Sequence, residues 1–281
     1  MPYSKIKSYA KLNIALNITG KNSSLHNIES IICFIDFHDV IMIKKIKSKT
    51  HKVSFIGKFS QNISKKNTVS DLLDILEKKN FLENKKFQIK INKKIPNKAG
   101  LGGGSMNAAS ILKYFIKKKI VKIKKKEIAE IAEFIGSDVI LGLNFTNSIL
   151  TSKKKIKRFA SNPKIYTLIV KPNFGCSTKE IYSKVKKFKR PKFSRPNRKM
   201  FNFNYLKKLD NGLEQIVLSK YPILKKIKLN LENLSKPDFI RMTGSGSALV
   251  AYFKSKERCE LAKKRFNKQY KNYWCITSKT I

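Results

Sequence analysis

The stretch PNKAGLGGGSMNAA at positions 96–109 carries the strongest structural signal in this chain. It follows a segment at 87–91 in which apolar and polar residues alternate with the period of a strand, and it precedes a helical stripe of apolar residues at 108–116. Four of the five residues at 100–104 are glycines. Without Cβ atoms, the backbone N–H groups of such a turn can approach phosphate oxygens, and a helix start adds partial positive charge. The pattern therefore predicts an anion-binding loop between a strand and a helix.

This loop differs from the two common phosphate-binding motifs. No Gly-Lys-Ser or Gly-Lys-Thr follows its glycines, and the spacing of the dinucleotide-binding fingerprint is absent. A flexible turn that permits tight helix packing is the alternative interpretation. We expect the anion contacts to come from Pro96, Gly100, Leu101, Gly102, Gly103, Gly104 and Ser105.

The rest of the chain alternates strands and helices, which predicts an α+β protein. Apolar periodicity predicts strands at 12–18, 28–37, 40–46, 87–91, 166–170, 239–242, 248–253 and 273–277, and helices at 68–79, 108–116, 128–135, 205–219, 223–234 and 257–269. Thr68 is expected to cap the first helix. A lysine-rich shift in composition at 151–161 divides the chain into predicted domains 1–155 and 156–281. The basic segment 184–199, which contains two prolines, is predicted to be a mobile loop.

Length and composition indicate a globular protein rather than a membrane or secreted one. The chain has 281 residues, 41% of them hydrophobic, and its apolar runs are shorter than the ~18 residues of a membrane span. The four cysteines and three histidines are scattered, so neither a zinc site nor a disulfide framework is expected. We expect a cytoplasmic protein without a membrane partner, and a monomer or homodimer.

The net charge of +44 leaves two interpretations open. Such a charge can indicate a nucleic-acid partner. However, only seven of the 62 basic residues are arginines, and the 55 lysines are spread along the whole chain together with other residues of A/T-rich codons. Genome-wide base composition explains this distribution better than a dedicated surface does, so no specific nucleic acid is expected. The alternative is an RNA-binding protein that uses its lysines, for instance those at 184–199.

Two shorter segments offer single charged groups. GSDVI at 136–140 follows an apolar helix, where the carboxylate of Asp138 could act as a general base. An ordinary turn or cap aspartate fits the same spacing. AKLN at 10–13 places Lys11 at the start of an extended apolar segment, where an ammonium group could stabilise a reacting phosphate. On composition alone, Lys11 is one of 55 lysines and has no special role. A third segment, RMTGSGS at 241–247, could admit a ligand close to its backbone.

Taken together and in this order, the four segments resemble the GHMP kinase superfamily. Within it, Lys11-Leu12-Asn13, followed by Thr19-Gly20 and then by His26 and Glu29, is similar to the branch that phosphorylates a hydroxyl of 4-diphosphocytidyl-2-C-methyl-D-erythritol. Homoserine and mevalonate kinases open differently. The resemblance implies a two-domain fold, with an N-terminal domain like ribosomal protein S5 domain 2 and a ferredoxin-like C-terminal domain.

The resemblance also implies a set of site residues. ATP and Mg²⁺ would be the cofactors, and Lys11 and Asp138 would be the catalytic pair within reach of the glycine loop. Asn13 and His26 would lie near the substrate, with His26 reading the edge of cytosine. Thr178 and the ring of Tyr182 would form a second wall of the substrate pocket, although His26 as a solvated loop residue and Tyr182 as a core residue are the alternatives.

Two positions depart from the pattern of the family. Leu25 replaces an aromatic residue before the histidine, so that one face of the nucleobase pocket would depend on Tyr182, and weaker cytidine affinity is expected. Met106 replaces a second serine of the loop, which leaves the hydroxyl of Ser105 as the candidate metal contact.

Overall fold

The computed structural model describes residues 2–22, 26–160 and 164–281. Leu25 therefore lies outside the described residues. The strands are β1 Ser4–Lys21, β2 His26–Ile46, β3 Lys52–Ile56, β4 Lys86–Asn92, β5 Asn147–Leu150, β6 Ile156–Phe159, β7 Tyr166–Lys171, β8 Phe239–Met242, β9 Leu249–Phe253 and β10 Trp274–Lys279. The helices are α1 Thr68–Lys78, α2 Gly103–Lys117, α3 Lys125–Ile135, α4 Val139–Gly142, α5 Thr178–Ser183, α6 Phe203–Lys207, α7 Glu214–Lys220, α8 Pro222–Ser235 and α9 Lys256–Gln269, and a 3₁₀ turn spans Arg198–Phe201.

The contacts group the chain into two compact units that interleave along the sequence. The first unit comprises the described parts of Met1–Ala10, Phe37–Asn97 and Gly102–Phe145, and the second comprises those of Lys11–Asp36, Lys98–Leu101 and Thr146–Ile281. The long strands β1 and β2 pair with each other, and each contributes residues to both units. The division into domains 1–155 and 156–281 stays a prediction.

The first unit is a sheet covered by helices. Strand β4 pairs antiparallel with the C-terminal part of β2 and parallel with β3. Its alternating residues Phe87, Ile89 and Ile91 are buried, because successive side chains of a strand point to opposite faces. Helices α1, α2 and α3 supply the apolar side chains that complete this core, among them Leu72, Leu76, Ile111, Phe115 and Ile131.

The N-cap of helix α1 lies one residue before the predicted cap. Asn67, rather than Thr68, is the N-cap, since its side chain accepts hydrogen bonds from the N–H groups of Val69 and Ser70. The Ser70 hydroxyl in turn accepts a hydrogen bond from the Asn67 N–H, and the two interactions form a capping box. The hydroxyl of Thr68 instead donates to the carbonyl oxygen of Gly104, 2.8 Å away.

The second unit contains an antiparallel sheet in the order β10-β7-β9-β8. Helices α7, α8 and α9 supply apolar side chains to its core, including Val217, Leu224, Ile227, Leu231 and Phe266. In the same unit the N-terminal part of β2 pairs with β5, and β5 pairs with β6 across the lysine-rich turn. The predicted α+β class is confirmed.

The predicted helix at 205–219 is wrong as a single element. It is divided into α6 and α7, and the residues between them bind the backbone of β1. The Leu16 N–H donates to the Asp210 carbonyl at 3.1 Å, and the Gly212 N–H donates to the Leu16 carbonyl at 2.8 Å. This bridge to a distant strand interrupts the helical hydrogen bonds, which local periodicity cannot reveal. The short elements β3, β5, β6 and α5 were likewise not predicted.

Candidate active site

The glycine loop ends as the first turn of α2. Gly102 is the N-cap with φ of 72°, a left-handed conformation that favours glycine. A glycine cap has no side chain to bind the first N–H groups of the helix, and these groups have no partner within the helix. Gly103 and Gly104 follow, and both are at least partly exposed. The predicted strand, loop and helix are therefore present, with an N-terminus suited to an anion.

A buried carboxylate holds the base of this loop. Asp39, on β2, is fully buried and accepts bonds from the N–H groups of Lys94 at 2.7 Å and Ile95 at 2.8 Å. Its other oxygen is paired with the buried ammonium group of Lys93 and accepts a bond from the Asn107 amide of α2 at 3.0 Å. The carboxylate thus joins β2, the end of β4 and helix α2, which fixes both sides of the loop.

Asp138 follows α3 and is the N-cap of the short helix α4. The segment around it packs on the start of α2. A Cβ atom added to Gly136 would lie 3.7 Å from the Ser105 hydroxyl, and one added to Gly142 would lie 2.8 Å from the Met106 sulfur. Asp138 itself is partly exposed. The first unit therefore brings Ser105 close to the segment that carries Asp138.

Met106 does not face the loop. Its side chain is fully buried in the first unit, where it packs against Gly142. The methionine at this position fills the contact between α2 and α4, so its side chain replaces no hydroxyl on the exposed side of the turn. Ser105 remains partly exposed there.

In the second unit, Lys11 and Asn13 lie next to each other on β1. Both are almost fully buried, and the Lys11 ammonium group donates to the side-chain oxygen of Asn13. The Asn13 amide in turn donates to the Ser30 hydroxyl at 2.9 Å. Of the 55 lysines, Lys11 is therefore one that the fold places inside the protein and orients.

The start of the glycine loop lies against the turn after β8. The Lys11 N–H donates to the Leu101 carbonyl at 3.1 Å, and the Asn13 N–H donates to the Thr243 hydroxyl at 3.0 Å. Gly100 has φ of +75°, and a Cβ atom there would lie 2.0 Å from the Thr243 carbonyl oxygen. Only a glycine can pass at this distance. The second unit thus gathers residues 11–13, 100–101 and 243–247.

Thr178 and Tyr182 continue this group on one face of α5. The hydroxyl of Thr178 lies 2.9 Å from that of Ser245, within the turn after β8. One helical turn later, the Tyr182 ring lies 5.2 Å from the His26 ring, measured between centroids. Tyr182 also packs on the core of the second unit and is only partly buried. The structure therefore brings Asn13, Thr178, Tyr182 and His26 into one connected group.

His26 begins β2 and is partly buried. Its pKa is lowered below the ordinary value of 6.5, first by desolvation and second by the nearby charge of Lys21. A neutral imidazole has one donor and one acceptor nitrogen. It can therefore match a ligand edge that offers both an acceptor and a donor.

The glycine loop offers one hydroxyl oxygen, that of Ser105, which fits a metal that needs few protein ligands. Within residues 2–22, 26–160 and 164–281, no group of three or more His, Cys, Asp or Glu side chains could hold a metal ion. Mg²⁺ usually binds through one or two protein oxygens, water and substrate phosphates. Ser105 is a partly exposed residue in the first turn of α2, and its hydroxyl is consistent with such binding.

The supporting contacts of two residues were not predicted from the sequence. The Asn211 amide donates to the carbonyl oxygens of Met242 and Gly244, each at 2.8 Å, and so shapes the turn after β8. The buried guanidinium group of Arg241 donates to the Ile14 carbonyl at 2.6 Å, which fixes β1 beside Lys11 and Asn13. These contacts join positions more than 30 residues apart in sequence, so no local sequence pattern indicates them.

Comparisons with known proteins agree with this architecture. The family model for the GHMP kinases N terminal domain matches residues 67–146, the region that contains the glycine loop and Asp138. A 4-diphosphocytidyl-2-C-methyl-D-erythritol kinase of Pelagibacter ubique (strain HTCC1062) is 57% identical over 277 residues, which cover 99% of each chain. The chain belongs to the 4-diphosphocytidyl-2-C-methyl-D-erythritol kinase family. The protein of that name from Clostridium tetani is 31% identical over 294 residues, covering 99% of this chain and 100% of the relative.

A solved structure also confirms that this chain has the fold of the kinase family. The crystal structure of a 4-(cytidine 5'-diphospho)-2C-methyl-D-erythritol kinase superposes with a TM-score of 0.78 at 19% identity, over 98% of this chain and 99% of the other. The predicted GHMP kinase fold, with mixed α and β content and two sheets, is thus confirmed, as is the prediction of a small-molecule kinase. In the described part of the chain, no helix is both long and apolar enough to cross a membrane.

Proposed function

We propose that the chain transfers the γ-phosphoryl group of ATP to a hydroxyl of 4-diphosphocytidyl-2-C-methyl-D-erythritol, a step of non-mevalonate isoprenoid synthesis. The observation that carries this proposal is the 57% identity, over almost the full chain, to a relative named for that activity. The glycine-capped start of α2 and the paired rings of His26 and Tyr182 support it, since they suit a polyphosphate and a nucleobase respectively.

The glycine loop would bind the triphosphate of ATP. Its contacts are expected from the segment between Pro96 and Ser105, where positive φ at Gly100 and Gly102 shapes the turn. The free N–H groups at the start of α2 would donate to phosphate oxygens. Asp39 and Lys93 would act through the backbone, because their buried pair holds the start of the loop in place.

In the reaction, Asp138 would accept a proton and Lys11 would stabilise negative charge. Asp138 would accept the proton of the attacking hydroxyl, which requires only an ionised carboxylate within hydrogen-bonding reach. The ammonium group of Lys11, oriented by Asn13, would stabilise negative charge on the attacking oxygen and the reacting phosphate. Phosphoryl transfer depends mainly on positioning and charge stabilisation, so preorganised groups of this kind are the main requirement.

The cytidine end of the substrate would bind at the second group of residues. Neutral His26 would read the edge of cytosine, and the Tyr182 ring would stack on its face. Asn13 and Thr178 would contact the remaining polar atoms of the substrate. Mg²⁺ would be held by the phosphates with the Ser105 hydroxyl, and when bound it neutralises charge on the transferring phosphates.

The decisive test is acceptor specificity. Purified protein with ATP and Mg²⁺ is offered 4-diphosphocytidyl-2-C-methyl-D-erythritol, homoserine or mevalonate, and ADP formation is measured for each. We expect ADP with the first acceptor only, and we expect the signal to disappear in Asp138→Asn. Equal or faster turnover of homoserine or mevalonate would refute the proposed substrate, as would ADP formation at the same rate with and without 4-diphosphocytidyl-2-C-methyl-D-erythritol.

A further inference from the structure

A buried carboxylate of the second unit holds the basic segment that was predicted to be mobile. Glu29, on β2, is fully buried. Its two oxygens accept the N–H groups of Lys192 and Phe193, the second at 3.0 Å, and the Asn17 amide donates to it at 2.9 Å. We call residues 184–197, which run between α5 and the 3₁₀ turn, the strap. A carboxylate that accepts consecutive backbone N–H groups determines both the position and the direction of the strap there.

Three further contacts attach the strap to β1 and to the core. The Lys189 N–H donates to the Ile18 carbonyl at 2.8 Å, and the Asn17 amide also donates to the Arg190 carbonyl at 3.1 Å. The side chain of Phe193 is 1% exposed, so its ring is buried as deeply as a core residue. The prediction of a mobile loop therefore does not describe residues 189–193, which are fixed at both ends.

The attached part of the strap begins directly after an exposed aromatic residue. Phe188 is 48% exposed, and its ring centroid lies 6.3 Å from that of His26. Tyr182 lies on His26 as well, at 5.2 Å. His26 thus contacts two aromatic rings, one on α5 and one on the strap. Burial of the exposed Phe188 ring against a flat apolar ligand would be favourable.

We infer that Glu29 is a positioning residue that holds the strap so that Phe188 forms an aromatic wall of the nucleobase pocket, beside His26. This inference rests on the proposed function, because it assigns the ring to the cytosine moiety of that substrate. Glu29 itself contacts no ligand. It acts through residues 189–193, whose backbone it fixes, and Phe188 makes the contact with the base.

A structural role for Glu29 alone makes a different prediction. Loss of a purely structural contact lowers the free energy of unfolding. It leaves the ratio of the KM for the cytidine substrate to the KM for ATP unchanged. A positioning role raises the KM for the cytidine substrate while kcat and the KM for ATP stay nearly constant, because only binding of the base is weakened. The ratio of the two KM values therefore distinguishes the roles.

The first variant is Phe188→Ala, which changes an exposed side chain and leaves the anchor intact. We expect the KM for 4-diphosphocytidyl-2-C-methyl-D-erythritol to rise about tenfold, within the range found for loss of one base-stacking ring. The KM for ATP is expected to stay within about twofold of wild type. The matched control is Leu261→Ala on α9, which removes an apolar side chain of similar exposure, 47%, and should leave both KM values unchanged.

The second variant is Glu29→Gln, an isosteric change that replaces one acceptor oxygen with a donor. We expect it to raise the same KM and to make the strap susceptible to trypsin at its basic residues between 184 and 190. Combined with Phe188→Ala, it should add nothing further to the KM, because both changes remove the same ring from the base. If Glu29→Gln does not fold, Asn17→Ser loosens the same anchor and takes its place in this double-mutant comparison.

Each outcome decides between the accounts. An unchanged KM for the cytidine substrate in Phe188→Ala overturns the inference, and additive effects of Glu29→Gln and Phe188→Ala overturn the positioning role. Both results presuppose a wild-type protein that phosphorylates the substrate. A wild-type protein that turns over none of it refutes the proposed function instead, so the two failures are separate.

Discussion

Two buried carboxylates hold two irregular segments of this protein, and they do so with different partners. Asp39 of the first unit and Glu29 of the second are both fully buried, and each accepts two consecutive backbone N–H groups. Asp39 is also paired with the ammonium group of Lys93. Glu29 receives its side-chain hydrogen bond from the neutral amide of Asn17. One anchor is therefore ionic, whereas the other consists of neutral donors.

The difference matches what each segment has to bind. A buried ion pair resists the removal of either partner, because a single unpaired charge in the interior is very unfavourable. Such an anchor suits the glycine loop, whose N–H groups need fixed directions to act on phosphate charge. Hydrogen bonds from neutral donors leave no unpaired cation behind when they break, so the strap can open at lower free energy. We expect the first unit, with the loop and Asp138, to govern ATP binding and turnover, and the strap to govern binding of the cytidine substrate.

Asp138→Asn should have the largest effect, and it tests the assignment of turnover to the loop side. Loss of a positioned general base lowers kcat by about 10²–10⁴-fold. The KM for the cytidine substrate should change less than kcat, since Asp138 would contact only the acceptor hydroxyl, whereas the cytidine end would bind at His26 and Tyr182. Steady-state kinetics with circular dichroism as a folding control would measure this. Unchanged turnover would remove Asp138 from the mechanism.

The two anchors can be compared directly by the loss of unfolding free energy in two variants, Asp39→Asn and Glu29→Gln. Asp39→Asn leaves the buried Lys93 ammonium group without its counter-charge, which costs about 3–5 kcal/mol of unfolding free energy. Glu29→Gln leaves a buried N–H group without its acceptor but strands no cation, and about 1–3 kcal/mol is expected. Urea denaturation of the two isosteric variants measures both values. Equal losses would show that the cationic partner of Asp39 does not make its anchor stronger than that of Glu29.

Gly103→Val tests whether the start of α2 binds the nucleotide. A Cβ atom at this position would lie 3.1 Å from both the Ile95 side chain and the Lys93 ammonium nitrogen, so the larger valine displaces the turn. We expect the KM for ATP to rise at least about tenfold, the equivalent of one charge-assisted hydrogen bond. Gly20→Ala is the control, because its Cβ would meet Asn27 at an ordinary 3.5 Å. Unaltered ATP affinity in Gly103→Val would contradict the proposed phosphate site.

The pH dependence of substrate binding should be the smallest effect, and it concerns the strap side. Burial and Lys21 lower the pKa of His26, so the neutral imidazole predominates at pH 7. As the pH falls through this lowered pKa, His26 gains a proton and loses its acceptor nitrogen. The KM for the cytidine substrate should then rise, while the KM for ATP follows a different profile.

Lys21→Ala sharpens this pH test. Removal of the exposed lysine takes away a charge that disfavours protonated His26, so the pKa of His26 should increase. The rise in KM should therefore begin at a higher pH in this variant than in wild type. A profile that does not move would indicate that another group controls binding.

Local patterns predicted the parts of the fold that depend on local contacts. The alternation at Phe87, Ile89 and Ile91 predicted β4, and the apolar stripe at 108–116 predicted α2, which begins five residues earlier, at Gly103. The interrupted helix at 205–219 was missed because its break depends on Leu16, almost 200 residues away in sequence. Periodicity contains no information on such a bridge.

The same limit explains which site residues could be found. Lys11 and Lys93 are both buried, but composition cannot separate them from the other lysines. Lys11 was identified through its resemblance to a family motif, and Lys93 was missed. Asp39 and Glu29 bind backbone groups more than 50 residues away in sequence, so only three-dimensional contacts show them as anchors. The strap was judged by its charge and prolines, and these do not reveal the carboxylate beneath it.

A crystal structure of the protein with a non-hydrolysable ATP analogue and 4-diphosphocytidyl-2-C-methyl-D-erythritol would test the account most directly. We predict that the N–H groups at the start of α2 contact phosphate oxygens, and that the γ-phosphate lies within reach of Lys11 and of the acceptor hydroxyl bound by Asp138. The cytosine ring should lie at His26, Tyr182 and Phe188. A triphosphate bound away from residues 96–105, or an acceptor hydroxyl remote from Asp138, would contradict the account.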